Sequence, residues 1–239
     1  MKSIGARKSD AIWELVRNPR HDINKYVPQP YVINDYKATC LCHAISLKDL
    51  DMMDACLKRG ANPNLGSKWK DEYNEHPMIE AASEGGDVAY QMICRLEAAG
   101  ATPSAQDVNE MLVEAVWPLS LPCVKWCLSH GADPNYKLSP DSIPALILLC
   151  YRWDKEDEDN YITAAALLLR AGANPDTVWE SPFSPGPKDW KYHLSHEIFP
   201  RDPTTLIERI EKLANSKDES IVGLTQMGVI DKITIPTEL

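Results

Sequence analysis

The stretch "DACLKRGANPNLG", Asp54 to Gly66, runs as a helix would until Gly60 and then alternates Asn with Pro. The same ending returns as "LSHGADPN" at Gly131 and "LRAGANPD" at Gly172, with a weaker copy, "EAAGATP", at Gly100. The four glycines are spaced by 40, 31 and 41 residues. Periods of this size mark stacked repeats. Glycine supplies the left-handed conformation that ends a helix. The Pro that follows forbids resumption of the helix and favours extended chain. Each unit should therefore end in a fixed turn, with a small Ala tucked against its neighbour and the chain then running outward.

A second regularity lies upstream of each glycine. "TCLCHAISLKDLDMMDACLKR" precedes Gly60 and "EMLVEAVWPLSLPCVKWCLSH" precedes Gly131, each with two helical apolar stripes separated by a short break. Met53, Cys56 and Leu57 form one i, i+3, i+4 face, and Val124, Cys127 and Leu128 form the equivalent face. In the preceding helices Leu41, Ala44 and Ile45 match Leu112, Ala115 and Val116. One such pair cannot bury its stripe alone, whereas stacked pairs can.

These two motifs at one offset make the chain resemble the ankyrin-repeat family. "TCLCHA" keeps Thr39, Leu41 and Ala44 of that family's opening motif, "HPMIEAASEGG" keeps Pro77, Ala81, Ala82 and Gly85, and "IPALILL" keeps Pro144. Thr39 to Gly60 and Glu110 to Gly131 are both 21 residues. The resemblance covers Ser9 to Asp176. It implies an all-α solenoid of stacked helix–turn–helix units with projecting finger loops. It also implies a concave face, lined by the fingers and the first helix of each unit, on which partners are bound.

The expected organisation is an N-terminal capping repeat over 1–38, repeats over 39–75, 76–109, 110–142 and 143–176, a long finger and degenerate repeat over 177–216, and a helix or tail over 217–239. "SDAIWELVRNPRHDIN" reads as a capped helix followed by a degenerate turn. "DPTTLIERIEKLANS" reads as a helix with Asp202 as N-cap, Pro203 at its first position and Leu206, Ile210 and Leu213 on one face. The second unit carries extra residues around "GGDVAY", and the fourth a long insert, "YRWDKEDEDNY".

Composition narrows the function. A formal charge of −10, from 25 basic and 35 acidic side chains, repels phosphate and gives no support to nucleic acid or an anionic membrane surface. No apolar run approaches a membrane span, and the N-terminus lacks the apolar core of a signal peptide. The seven cysteines lie mostly in apolar helical runs and read as reduced core residues of a cytoplasmic, reducing compartment.

Chemistry-bearing patterns are sparse. Phosphate-binding glycine loops and nucleophile elbows are missing from the sequence. Cys40, Cys42 and His43 sit close together but lack a second ligand pair for zinc and are read as packing. His193 and His196, with Glu197, share a helix face without forming a metalloprotease signature and are read as polar surface. The acidic run Asp154 to Asp159 lacks the glycine and distal Glu of a calcium loop and is read as a solvated insert. No cofactor and no metal are expected.

The fingers carry the best functional signal. The first holds Trp69, Lys70 and Tyr73; the second Tyr136 and Lys137; the long third Trp179, Phe183, Trp190 and Tyr192, stiffened by Pro182, Pro185 and Pro187. Aromatic rings near cations are common hot-spot material. These eight are the expected partner-binding residues: Trp69, Lys70, Tyr73, Tyr136, Lys137, Trp179, Phe183 and Trp190. Trp13 and Trp117 are read as core, and Trp126 as lying on a flank. The favoured reading is a non-catalytic scaffold that holds a protein or peptide of basic character. A second is an adaptor or inhibitor of a larger enzyme or immune complex. A third is a small-molecule binder or enzyme with a pocket near the Pro-rich finger, using His193, His196, Asp189 or Glu197 as acid and base.

Overall fold

All four Gly-Ala endings close a helix in the same way. The computed structural model of the chain describes residues 4–28, 36–69, 73–151, 157–179, 186, 188–197 and 203–216. In it Gly60, Gly100, Gly131 and Gly172 have φ of +82°, +90°, +84° and +99°. The Ala N–H after each glycine donates back into the last helical turn: Ala61 to Cys56 O at 3.0 Å, Ala132 to Cys127 O at 3.0 Å and Ala173 to Leu168 O at 2.9 Å. This is the Schellman closure. A Cβ built on any of the four glycines meets nothing within 4 Å. Glycine is required there by the backbone angle, not by lack of room.

The chain divides into two compact units. Of the described residues, the first takes in 4–84 and 88–107, and the second 85–87 and 108–216. The first contains α1 (Ile4–Arg17), β1 (Val27–Pro28), β2 (Tyr36–Ala38), α2 (Cys40–Ser46), α3 (Leu50–Lys58), β3 (Ser67–Trp69), β4 (Tyr73–Glu75), α4 (Pro77–Ser83) and most of α5 (Gly86–Ala98). α2 packs on α3 and on α4, and α1 packs on α2 and α3. Leu41, Ala44, Ile45, Met53 and Cys56 are all fully buried, so the apolar stripes meet as their spacing requires.

Its four short strands form one antiparallel sheet in the order β1-β2-β3-β4. Lys37 faces Lys68 and Tyr36 faces Trp69 across β2 and β3. The sheet joins the two outward excursions of the chain. Gly66 allows the second of these to close, since a Cβ there would sit 1.6 Å from the Glu75 carbonyl oxygen.

The second unit contains most of α6 (Ala105–Val116), then α7 (Leu121–Ser129), α8 (Ala145–Cys150), α9 (Glu158–Arg170), β5 (Val178–Trp179), β6 (Lys188–Asp189), α10 (Trp190–Glu197) and α11 (Pro203–Ala214). α9 packs on α7, α8 and α11, and α10 packs on α8 and α11. Leu112, Ala115, Val116, Val124 and Cys127 form its core with the apolar residues of α8 and α9. Leu206 and Ile210 bury the predicted face of α11.

One asparagine clasp recurs inside each unit. Asn24 Oδ1 accepts from Asn62 N–H at 2.7 Å while its Nδ2 donates to Gly60 O at 3.3 Å. Asn64 does the same to Thr102 N–H and Gly100 O, at 2.7 and 3.4 Å. Asn135 does it to Asn174 N–H and Gly172 O, at 2.7 and 2.9 Å. Each turn is thus tied to the turn one repeat away. The degenerate "HDIN" turn keeps this function through Asn24.

Helix starts are capped from the sequence motif. Thr39 accepts from Cys42 N–H at 3.2 Å and Asp49 from Met52 N–H at 2.9 Å. His76 stands where the motif has Thr. Its Nδ1 accepts from Met78 N–H at 3.2 Å, which leaves Nε2 as the protonated nitrogen, 3.1 Å from Asn64 Oδ1.

Several expectations need correction. α1 begins at Ile4, ahead of the cap read at Ser9. Trp117 is 51% exposed, because α6 ends at Val116 and the next residue leaves the buried stripe. Trp126 is buried and stacks on His130 at 3.8 Å. Trp13 is half-buried, its Nε1–H donating to Asp49 at 3.0 Å. The end of the acidic run is not free loop: Glu158 and Asp159 open α9 and pair with Arg209 of α11 at 2.5 and 3.2 Å. Residues 152–156, Asp202 and 217–239 lie outside the described residues. Among the described residues no helix is long and apolar enough to cross a membrane.

Candidate partner-binding site

In the second unit three aromatic side chains from three elements meet. Trp179 ends β5, opposite Lys188 of β6. Its Nε1–H donates to the Asp141 carbonyl at 3.1 Å. Its ring lies 5.9 Å from Tyr151, edge-on, and 5.9 Å from His193. Tyr151 caps α8, and its hydroxyl is 3.1 Å from His193 Nδ1 of α10. Trp179 and Tyr151 are half-buried and His193 is buried. An indole with its polar atom satisfied and its ring held on two sides is a fixed apolar surface that loses little entropy on binding.

Tyr136 and Lys137 also fall in this unit and are half-buried. The Tyr136 hydroxyl donates to Glu110 Oε1 at 3.5 Å, and Lys137 Nζ donates to the Pro140 carbonyl at 3.5 Å. Glu110 and Glu114 stand one turn apart on α6. Burial and the Glu110 charge push the Glu114 carboxyl above its ordinary range.

Trp190 is not an anchor for a partner. It is 1% exposed, since it opens α10 where that helix packs on α8 and α11. Its carbonyl accepts from the Cys150 thiol at 3.5 Å, tying the helix start to α8. Asp189 caps α10, accepting from Tyr192 N–H at 2.8 Å. Lys70 and Phe183 lie outside the described residues, as do the side chains of Trp69, Tyr73, His196 and Glu197.

In the first unit the short inner helices carry two polar groups in their interiors. His43 and Glu80 are the fourth residues of α2 and α4, helices that pack together. His43 is fully buried and Glu80 is 8% exposed. His43 Nε2 lies 3.4 Å from the Val27 carbonyl, so that nitrogen carries the proton and Nδ1 is a bare acceptor. Neither His43 Nδ1 nor Glu80 Oε2 has a hydrogen-bond partner among the described residues. Burial, and then the Lys8 charge, lower the His43 pKa to about 4. Burial, and then the neighbouring Glu75 and Glu84, push the Glu80 carboxyl up to about 8. Tyr36 of β2 and the Cys42 thiol lie beside Glu80, both shifted upward chiefly by burial.

In the sequence His43 was weighed only as a zinc ligand beside Cys40 and Cys42 and read as packing, and Glu80 was passed over. The signal was present: an acid and an imidazole at the same position of two buried helices, where such groups are rare without partners.

Other features are structural. All seven cysteines are free thiols, and six are buried. Among the described residues no three His, Cys, Asp or Glu side chains are grouped to hold a metal ion. An open hollow of about 440 Å³ beside α10 and α11 is lined by Leu169, Arg170, Ala173, Pro175, Trp190 and Glu211 among others.

No family model matches the chain. No curated protein matches it. Solved structures do. EF0377, an ankyrin repeat protein, superposes with a TM-score of 0.57 at 16% identity, over 88% of this chain and 94% of that one. The Legionella pneumophila effector AnkC aligns with a TM-score of 0.43 at 17% identity, over 91% of this chain and 69% of that one. Recurrent Schellman turns, asparagine clasps, paired helices and the first of these likenesses agree: the chain has the ankyrin-repeat fold.

Proposed function

We propose that the chain is a non-catalytic binding protein that holds a peptide or protein segment. The observation that carries this is the Trp179 ring, half-exposed and fixed by Asp141, Tyr151 and His193. Interface hot spots are built from rigid aromatic groups of this kind. Tyr136 and Lys137 extend the contact, and the sequence offers Trp69, Lys70 and Tyr73 as further candidate contacts. The acidic total charge favours a partner with basic character over nucleic acid or an anionic membrane. Free thiols throughout support a reducing, cytoplasmic setting. Residues 1–38 and 177–216 would serve as the atypical end repeats that close a stack.

The test is affinity purification from the native cell extract with wild type beside Trp179→Ala. A protein retained by wild type and lost by the variant, with the variant's helicity intact, supports the reading. Equal retention by both would remove Trp179 from the binding surface.

A further inference from the structure

We propose that Glu80 is the recognition point for a basic side chain of the bound peptide, a lysine or arginine whose N–H donors supply the partner that Glu80 Oε2 lacks. This rests on the reading above that the chain holds a peptide.

Glu80 Oε2 and His43 Nδ1, buried acceptors at matching positions of packed inner helices, have no hydrogen-bond donor among the described residues. Lone buried acceptors are costly, and folded proteins pair nearly all of them. Both groups lie within electrostatic reach of Lys8 of α1, yet no hydrogen bond from it reaches either atom. The other groups acting on Glu80 supply no cation. Glu75 of β4 and Glu84 at the end of α4 add negative character. Tyr36 of β2 and Cys42 of α2 are neutral partners. Lys8 acts on Glu80 only through its charge, and Oε2 is left without a donor; a lysine ammonium carries three N–H donors and an arginine guanidinium five, so either could supply it.

The proton balance gives the inference its signature. Glu80 titrates near pH 8 in the free chain, so it is mostly neutral in the neutral range. A cation entering beside it favours the carboxylate, and the proton leaves to solvent. Affinity therefore climbs with pH by up to about tenfold per unit and levels off above pH 8. His43 titrates near 4 and does not contribute in that window.

The probe is a phage-displayed library of random peptides, selected on the full chain at mildly alkaline pH and then on Glu80→Gln. Gln keeps the size of the side chain, and circular dichroism checks the fold. The inference expects a consensus with a fixed Lys or Arg. It expects synthetic consensus peptide to bind Glu80→Gln about tenfold or more weaker, or to lose as much when its basic residue becomes norleucine. It expects the pH dependence to vanish in the variant. A consensus without a basic position, or pH-independent binding indifferent to Glu80→Gln, overturns this inference while leaving peptide binding intact. If wild type selects no peptide at all, the reading beneath it fails as well.

Discussion

Asn135 holds the Gly172 turn from 37 residues away, its Nδ2 donating to the Gly172 carbonyl at 2.9 Å. Its Oδ1 takes Asn174 N–H at 2.7 Å. One side chain thus satisfies a donor and an acceptor that a helix-ending turn leaves open. Asn135→Ala should lower stability by about 1–2 kcal/mol, a drop of a few degrees in Tm, because these are exposed bonds of modest net worth. Asn135→Asp keeps the acceptor and should fall between. Urea unfolding of the three proteins checks the order, and an unchanged Asn135→Ala would show the clasp to be idle.

Gly131 has φ of +84° with nothing within 4 Å of a built Cβ. The cost of substitution is therefore conformational alone. Gly131→Ala should cost about 1–2 kcal/mol, and Gly131→Val more, because a β-branched residue resists the left-handed region. Thermal melts of both variants decide this. If Ala and Val were both neutral, the turn would not hold the angle described.

The turns and helix pairs were readable because the constraints on them are local. Gly60, Gly131 and Gly172 need a positive φ, and Thr39 and Asp49 need to reach an N–H three residues on, so each leaves a residue type at a fixed place. Trp190 and Trp117 were misplaced because burial depends on what arrives from elsewhere. Trp190 looked like a finger residue until α10 began with it, and Trp117 looked like stripe until α6 ended before it. Glu80 was passed over, and His43 read as packing, because a motif assigns residues to a helix without saying which polar atoms lack a partner there.

Trp190 and Trp179 should separate cleanly on mutation. Trp190→Ala removes a large interior ring and should cost on the order of 3–5 kcal/mol. Trp179→Ala removes a half-exposed ring and should stay within about 1 kcal/mol while weakening partner binding. Chemical denaturation beside binding measures both. A strongly destabilised Trp179→Ala would assign that ring to the core.

His43 should make the chain sensitive to acid. Its imidazole is lowered from 6.5 to about 4 in the fold, by burial first and by Lys8 second. The unfolded chain takes up a proton that the folded chain refuses. This group's stabilisation is thus present above pH 6.5 and lost as pH falls toward 4, a change of roughly 3 kcal/mol. His43→Gln should remove this component, so the stability difference between wild type and variant should change by that amount between pH 6.5 and 4. Wild-type and variant curves that run parallel across this window would mean that the fold does not disfavour the charged imidazole.

Glu80 should act in the opposite direction. Its carboxyl is raised from 4.5 to about 8 by burial and by Glu75 and Glu84, so the fold favours the neutral acid. Below pH 4.5 folded and unfolded chains are both protonated and nothing is lost. As pH rises from 4.5 through 8 the unfolded chain ionises first, and stability declines by roughly 3–5 kcal/mol before levelling. Glu80→Gln cannot ionise, so it should remove this decline and leave the variant more stable than wild type at pH 8. Urea midpoints across pH for both chains give the curves. If wild type and Glu80→Gln ran parallel from acid to alkaline pH, the carboxyl would be solvated and ordinary, and its place as a buried acceptor would be lost.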